Sequence, residues 1–164
     1  MNATSTETAI ETALSLWQQG YERHMAGEIE AAIDLYRRSI AAHPTAEAHT
    51  FLGWAYHHQG RTHDAIAECQ RAIEIDPTFG NPWNDIGAYL IELGRFDEAI
   101  PYLQRALRAE RYECPYYPHF NLARIYERRG DWRRAIGHYE AAYRLNRDFT
   151  IALRRRDRLQ ALMN

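Results

Sequence analysis

The chain repeats itself at a fixed short period, and this is its strongest constraint. Leu52-Gly53-Trp54-Ala55-Tyr56, with Gly60, Ala65-Ile66, Ala72-Ile73 and Asp76-Pro77 after it, returns 34 residues later. There it reads Ile86-Gly87-Ala88-Tyr89-Leu90, Gly94, Ala99-Ile100 and Ala106-Leu107, with Trp83 just ahead. Two less regular copies flank these. Upstream by 33 residues come Gly20, Gly27, Ala32-Ile33, Ser39-Ile40 and Pro44, and downstream by 36 come Leu122-Ala123, Tyr126, Gly130, Ala135-Ile136 and Ala142-Tyr143. A period of this size means a stack of one small unit rather than a single unrepeated core.

The residue types say what the unit is made of. Valine and lysine are absent, while Ala, Leu, Ile, Glu, Gln and Arg recur throughout, so local preference runs to helix almost everywhere. Each copy then reads as a helix A, a turn and a helix B. Gly20, Gly53, Gly87 and Ala123 remove bulk where A meets B. Gly27, Gly60, Gly94 and Gly130 follow helix A, where a left-handed C-cap needs no Cβ. Ala32, Ala65, Ala99 and Ala135, each followed by Ile, form the close-contact stripe of helix B. Pro44 and Pro77 stop helix B in the first two copies, where the last two carry Arg111 and Arg147.

Four concordant copies covering residues 13–149 make the chain resemble the tetratricopeptide repeat family. The resemblance implies an all-α, right-handed superhelical solenoid of antiparallel helix pairs, with about nine helices. The expected division of the single domain 1–164 is an N-terminal extension of the first helix (1–12), repeats at 13–45, 46–79, 80–113 and 114–147, and a capping helix at 148–164. Thr4-Ser5-Thr6-Glu7 supplies N-cap chemistry for that extension. In the cap, Ile151, Leu153, Leu159 and Leu162 lie among four arginines, as a polar-faced closing helix requires.

In this family the A helices line a concave groove, and carrying its register over implies a set of groove residues. The first repeat gives Leu14, Trp17, Tyr21, His24 and Met25, and the second gives Glu47, Thr50, Trp54, His57 and His58. The third gives Asn81, Asn84, Ala88, Ile91 and Glu92, and the fourth gives Tyr117, Phe120, Arg124, Glu127 and Arg128. Aromatic side chains combine large area with few rotors, so Trp54 and Tyr21 are the expected anchors for a partner segment. Against this, Ile10, Leu14, Trp17, Tyr21 and His24 also fit one ordinary buried face. Gln19 and Arg23 stand where the family buries apolar residues, which points to a rotated first helix.

The family's dicarboxylate clamp needs lysine, asparagine and arginine at two groove positions. Those positions read Trp17 and Tyr21, Thr50 and Trp54, Asn84 and Ala88, Phe120 and Arg124, so only Arg124 could pair a carboxylate. The insertion around Glu110 to Pro118 reads as a long connection, with the groove edge as its alternative use.

Eight histidines invite a metal site. His24 and His57 occupy matching positions, but stacked helices lie about 8–10 Å apart, and adjacent His57 and His58 point to different sides of one helix. His49 and His119 fall at a core position. No phosphate loop, nucleophile elbow or carboxylate pair is present, and Asp64, Asp97 and Asp131 read as helix-start residues, so neither an enzyme nor a cofactor is expected. Cys69 and Cys114 lack metal-site spacing and are too few for a disulfide framework, which fits a cytoplasmic chain. No signal-like segment or membrane span is read.

Net charge is −2 but uneven: residues 121–164 carry 11 Arg against 5 acids. That end suits an acidic partner, while the absence of nucleic-acid motifs and the acidic remainder argue against nucleic acid. The expected function is a protein–protein interaction scaffold holding a protein or peptide segment, with self-association (a homo-oligomer) as the alternative.

Overall fold

A computed structural model of the protein describes residues 3–163. Among the described residues there are nine α-helices: α1 (Ala3–Met25), α2 (Ile29–Ala42), α3 (Ala46–His58), α4 (Thr62–Ile75), α5 (Gly80–Glu92), α6 (Phe96–Ala106), α7 (Tyr116–Arg128), α8 (Trp132–Leu145) and α9 (Thr150–Met163). They fall into two compact units, the first ending at Pro77 and the second beginning at Thr78. In the first, α1 packs on α2, α3 on α4, and α2 on α3; in the second, α5 pairs with α6, α7 with α8, and α9 closes on α8.

The turns follow from the four glycines after helix A. Gly27, Gly60, Gly94 and Gly130 have φ between 72° and 81°, which a Cβ would strain. Close approach within pairs rests on the other conserved-spacing glycines. A Cβ on Gly87 would stand 2.5 Å from Leu103 Cδ2, and one on Gly53 would stand 2.9 Å from the Ala65 carbonyl oxygen. Ala32, Ala65, Ala99 and Ala135 are fully buried, whereas the isoleucines that follow the last three keep some surface.

The first helix keeps the register of the others, since α1 buries Ala13 and Gly20 as α3 buries their equivalents Ala46 and Gly53, so no rotation accompanies Gln19 and Arg23. Both are exposed, and α1 turns Ala13, Gly20 and His24 inward, with the Ser39 hydroxyl donating to the Ala13 carbonyl at 2.7 Å. In the second repeat the positions equivalent to Gln19 and Arg23 are Leu52 and Tyr56, and Tyr56 accepts hydrogen bonds from Arg37 of α2 at 2.8 and 3.1 Å. Among the described residues α1 has no such preceding helix B, so polar residues are tolerated there.

Three further expectations need correction. Helix α1 already runs from Ala3, so Ser5, Thr6 and Glu7 lie within the helix rather than capping it; the Thr4 side chain, and residues 1, 2 and 164 of the expected extension and cap, lie outside the described residues. In α9 the buried residues are Ala152 and Leu159, while Ile151 and Leu162 are exposed, because the face turned to α8 is narrower than the apolar pattern suggests. Cys114, which a place in the inserted loop leads one to expect on the surface, is partly buried.

The inserted connection braces the start of α5. Arg111 N–H donates to the Thr78 carbonyl at 3.1 Å and Gly80 N–H to the Arg111 carbonyl at 3.0 Å, while the Arg111 guanidinium lies 4.3 Å over the Phe79 ring. Tyr112 fills the space that a Cβ on Gly80 would need, the two standing 2.4 Å apart. Pro82 and Pro118 sit in the first turns of α5 and α7, where their missing amides cost nothing.

Candidate partner-binding site

In the first unit, α1 and α3 bring the expected aromatic residues together, with two partners that the repeat register does not single out. Trp17 and Tyr21 both pack edge-on against Phe51, with ring centroids 5.4 and 5.6 Å away. Phe51 continues to Trp54 at 5.9 Å and to Tyr36 at 6.1 Å. His24 lies against Trp54 at 4.1 Å. Aromatic pairs at such separations hold the two helices together by about 0.5–1.5 kcal/mol each beyond burial.

The face that α1 turns away from α2 decides which side of this cluster meets solvent. Ile10, Leu14, Tyr21 and Met25 are 43%, 53%, 40% and 60% exposed, so the stripe that could have been core is on the surface. Trp17 and Trp54 are partly buried beneath it. His24 is buried, and Thr50 is buried too, its hydroxyl donating to the Ala46 carbonyl at 2.7 Å within its own helix; neither belongs to a free surface. His57 is partly buried and His58 exposed.

His58, not His57, meets His24. Nε2 of His24 lies 3.3 Å from Nδ1 of His58, and its Nδ1 lies 3.4 Å from the Tyr36 hydroxyl. The helix spacing that argues against contact holds for backbones, but the buried His24 imidazole and the exposed His58 imidazole reach each other across it. Burial, and secondarily the neighbouring His58, push His24 down to about 4, so it is neutral near pH 7. The core histidine His49 has a different partner: its Nδ1 lies 2.6 Å from Oε2 of buried Glu68, whose Oε1 accepts from Arg71 at 2.8 Å. In the second unit His119 and His138 approach through their Nδ1 atoms at 3.0 Å, and burial lowers both. No group of three or more His, Cys, Asp or Glu able to hold a metal occurs among the described residues.

The second unit presents polar chemistry. Asn84 and Ile91 are buried and Ala88 is partly buried, so the third repeat offers little of its expected contact set. Asn84 instead anchors a chain: Arg124 Nη1 donates to Asn121 Oδ1 at 3.1 Å, Asn121 Nδ2 to Asn84 Oδ1 at 3.1 Å, and Asn84 Nδ2 to Asp85 Oδ1 at 3.4 Å. Desolvation pushes Asp85 up to about 7, with the Asn84 bond opposing it weakly. Phe120 is packed between Phe149, at 5.0 Å, and Tyr139, at 5.5 Å, while Tyr117 is exposed and stands 5.5 Å from Phe149.

Arg124, Glu127, Arg128 and Arg155 line a cleft of about 360 Å³ between α7 and α9. Glu127 accepts from the Tyr139 hydroxyl at 2.5 Å, pairs with Arg158, and lies 3.5 Å from Arg155. Asp131 caps α8 by accepting from Arg134 N–H at 3.2 Å, and Asp64 and Asp97 lie in first turns, where Asp64 pairs with Arg61 and Asp97 with Arg129.

Tetratricopeptide repeat models match residues 18–78 and residues 79–148. The chain belongs to the tetratricopeptide repeat family. Its fold is one that serves as a protein–protein interaction scaffold. A solved structure described as a functional characterization of Pseudomonas aeruginosa pilF superposes with a TM-score of 0.89 over 95% of this chain and 71% of that one, at 22% identity. The first tetratricopeptide repeat domain of Spaghetti, bound to the HSP90 peptide SRMEEVD, gives 0.68 over 74% and 95%, also at 22% identity. In sequence the chain is 29% identical over 99 residues to the Small glutamine-rich tetratricopeptide repeat-containing protein 2 of Mycosarcoma maydis, covering 60% of this chain and 28% of that protein. It is 33% identical over 98 residues to Sperm-associated antigen 1 of Rattus norvegicus, covering 56% of this chain and 10% of that protein. The chain therefore spans a small part of these curated relatives. No described helix is long and apolar enough to cross a membrane.

Proposed function

We propose that this chain is a non-enzymatic scaffold that holds a polypeptide segment on the faces of its A helices. The observation that carries the reading is the stripe Ile10, Leu14, Tyr21 and Met25, exposed along α1 over a floor of Trp17, Phe51 and Trp54. An apolar row at helical spacing with packed aromatic rings beneath it offers area without a large loss of side-chain freedom, which suits a partner's apolar side chains. Arg124, fixed through Asn121, supplies a cation for a polar or acidic group in the second unit. In this reading the segment is not held through a dicarboxylate clamp for an acidic C-terminal tail, which the inward-turned Thr50 and Asn84 and the uncharged Trp17, Tyr21, Trp54 and Phe120 support. Two cysteines outside any disulfide fit a cytoplasmic setting.

A second reading is favoured by a separate observation. Leu162 and Met163 at the end of α9 are 61% and 47% exposed, so copies of the chain could associate through α9 or α1. Light scattering over a range of concentrations separates the two, since a concentration-independent monomer removes self-association.

The test of the scaffold is affinity capture from the cells that make the protein. Wild type is compared with a Leu14→Gln, Tyr21→Gln, Met25→Gln variant, whose exposed positions leave the fold intact by circular dichroism. Partners retained by wild type and lost by the variant are expected; identical partners on both overturn the assignment of the α1 face.

A further inference from the structure

The cleft between α7 and α9 is built differently from the rest of the surface. Three of its four lining residues are arginines, and each is steadied by one contact while keeping donors for something else. Arg124 spends one Nη1 on buried Asn121. Arg128 lies 5.8 Å over the Phe96 ring. Arg155 reaches Glu127 only at 3.5 Å, beyond a good hydrogen bond. A guanidinium has five N–H donors, so these contacts leave most of the donor set unused. Directly beside it, Ile151, Arg154, Arg155 and Arg158 line a second hollow of about 280 Å³, and the two share Arg155.

Glu127 shows what this surface holds well. Its side chain is only 14% exposed, and a carboxylate enclosed to that degree requires several partners; it has the Tyr139 hydroxyl and the Arg155 and Arg158 guanidiniums. Five arginines and this single acid line the two hollows together, so positive charge stays in excess there after the internal pair is satisfied. The bonds from Arg124 through Asn121 to Asn84 fix one cation in place before any ligand arrives, which lowers the ordering cost of binding.

From this arrangement we infer that the α7–α9 cleft is a binding site for the carboxylates of an acidic polypeptide segment, with neighbouring Glu or Asp side chains reaching Arg124, Arg128 and Arg155 and an adjacent apolar side chain resting on Ile151. The inference rests on the scaffold reading above for the nature of the partner. Nucleic acid fits less well. The lining contains no aromatic ring on which a base could stack, and residues 1–120 carry 9 Arg against 17 acids, so no extended basic track accompanies the cleft.

Fluorescence anisotropy with three labelled probes tests it at about 0.15 M ionic strength: a Glu-Glu-Leu-Glu-Glu-Leu peptide, its Gln-Gln-Leu counterpart, and a twelve-nucleotide oligothymidylate. Binding of the acidic peptide is expected, with at least about tenfold weaker binding of the glutamine peptide and of oligothymidylate. Arg124→Gln with Arg155→Gln weakens the acidic peptide about tenfold or more, and Arg133→Gln with Arg144→Gln on α8, outside the cleft, changes it less than about twofold. If the first pair fails to fold, Arg128→Gln with Arg155→Gln replaces it, because that pair leaves the Asn121 bond in place. Equal loss with the α8 pair, no binding of the acidic peptide, or tighter binding of oligothymidylate each overturns the inference. The scaffold reading stands or falls separately on the α1 variant, which touches none of these arginines.

Discussion

Asp85 is the residue at which the site's polar chain can be weighed. Its residue keeps part of its surface, yet its carboxyl is enclosed, and the bond it receives from Asn84 is long at 3.4 Å. Burial raises it to about 7, against an ordinary aspartate near 4. In the folded state it therefore holds its proton between these values, where the unfolded chain has lost it. The folded state binds more protons there, so this group's contribution to stability falls as pH rises from about 4 to about 7. Three pH units correspond to about 4 kcal/mol, and the remaining surface reduces this to about 2–4 kcal/mol. Asp85→Asn replaces the group by a neutral one of the same shape. The variant is expected to match wild type near pH 4, to within about 0.5 kcal/mol, and to exceed it by about 2–4 kcal/mol at pH 8. Urea unfolding of both proteins at a series of pH values reads this directly, since other titrations cancel in the difference. A difference that stays flat from pH 4 to pH 8 refutes the enclosed, proton-holding Asp85.

Three further outcomes follow from the packing. His24, held down to about 4, is neutral in the fold but takes a proton in the unfolded chain near 6.5, so stability falls as pH drops from about 6.5 towards 4; His24→Gln should flatten that part of the wild-type profile, and an unchanged slope would contradict it. Glu68→Ala leaves buried His49 without its carboxylate at 2.6 Å and should cost about 3 kcal/mol in urea unfolding; a loss under about 1 kcal/mol would mean the pair is not enclosed. Gly87→Ala places a methyl 2.5 Å from Leu103 and should cost about 1–3 kcal/mol, whereas a neutral result would show that α5 and α6 yield easily.

The fold was legible because its constraints are local and repeated. Gly60 and Gly94 must take positive φ to end helix A, and Ala65 and Ala99 must be small to let helices approach, so backbone requirements appear directly as residue types. The aromatic cluster was half legible. Register brought Trp17, Tyr21 and Trp54 together, but Phe51 falls outside the carried-over positions and joins only because rings from α1 and α3 reach sideways. Single polar residues were least legible. Thr50 and Asn84 were expected on a surface, and each is turned inward by a partner that spacing does not reveal: a carbonyl four residues back for Thr50, and Asn121 for Asn84. The His24–His58 and His119–His138 approaches escaped for the same reason, since helix separation says little about where long side chains meet. One signal was available for the second unit. Eleven arginines after residue 120 marked its charge, though not that Glu127 would sit among them.

Photo-crosslinking tests the central claim, that a partner segment lies on the A-helix faces, most directly. A crosslinking amino acid is placed at position 21 or 124, and in control proteins at position 70 or 104, exposed on helices α4 and α6. Adducts to the captured partner from positions 21 and 124, with none from 70 and 104, are the predicted result. Adducts from 70 and 104 alone would place the partner on the B helices and contradict it.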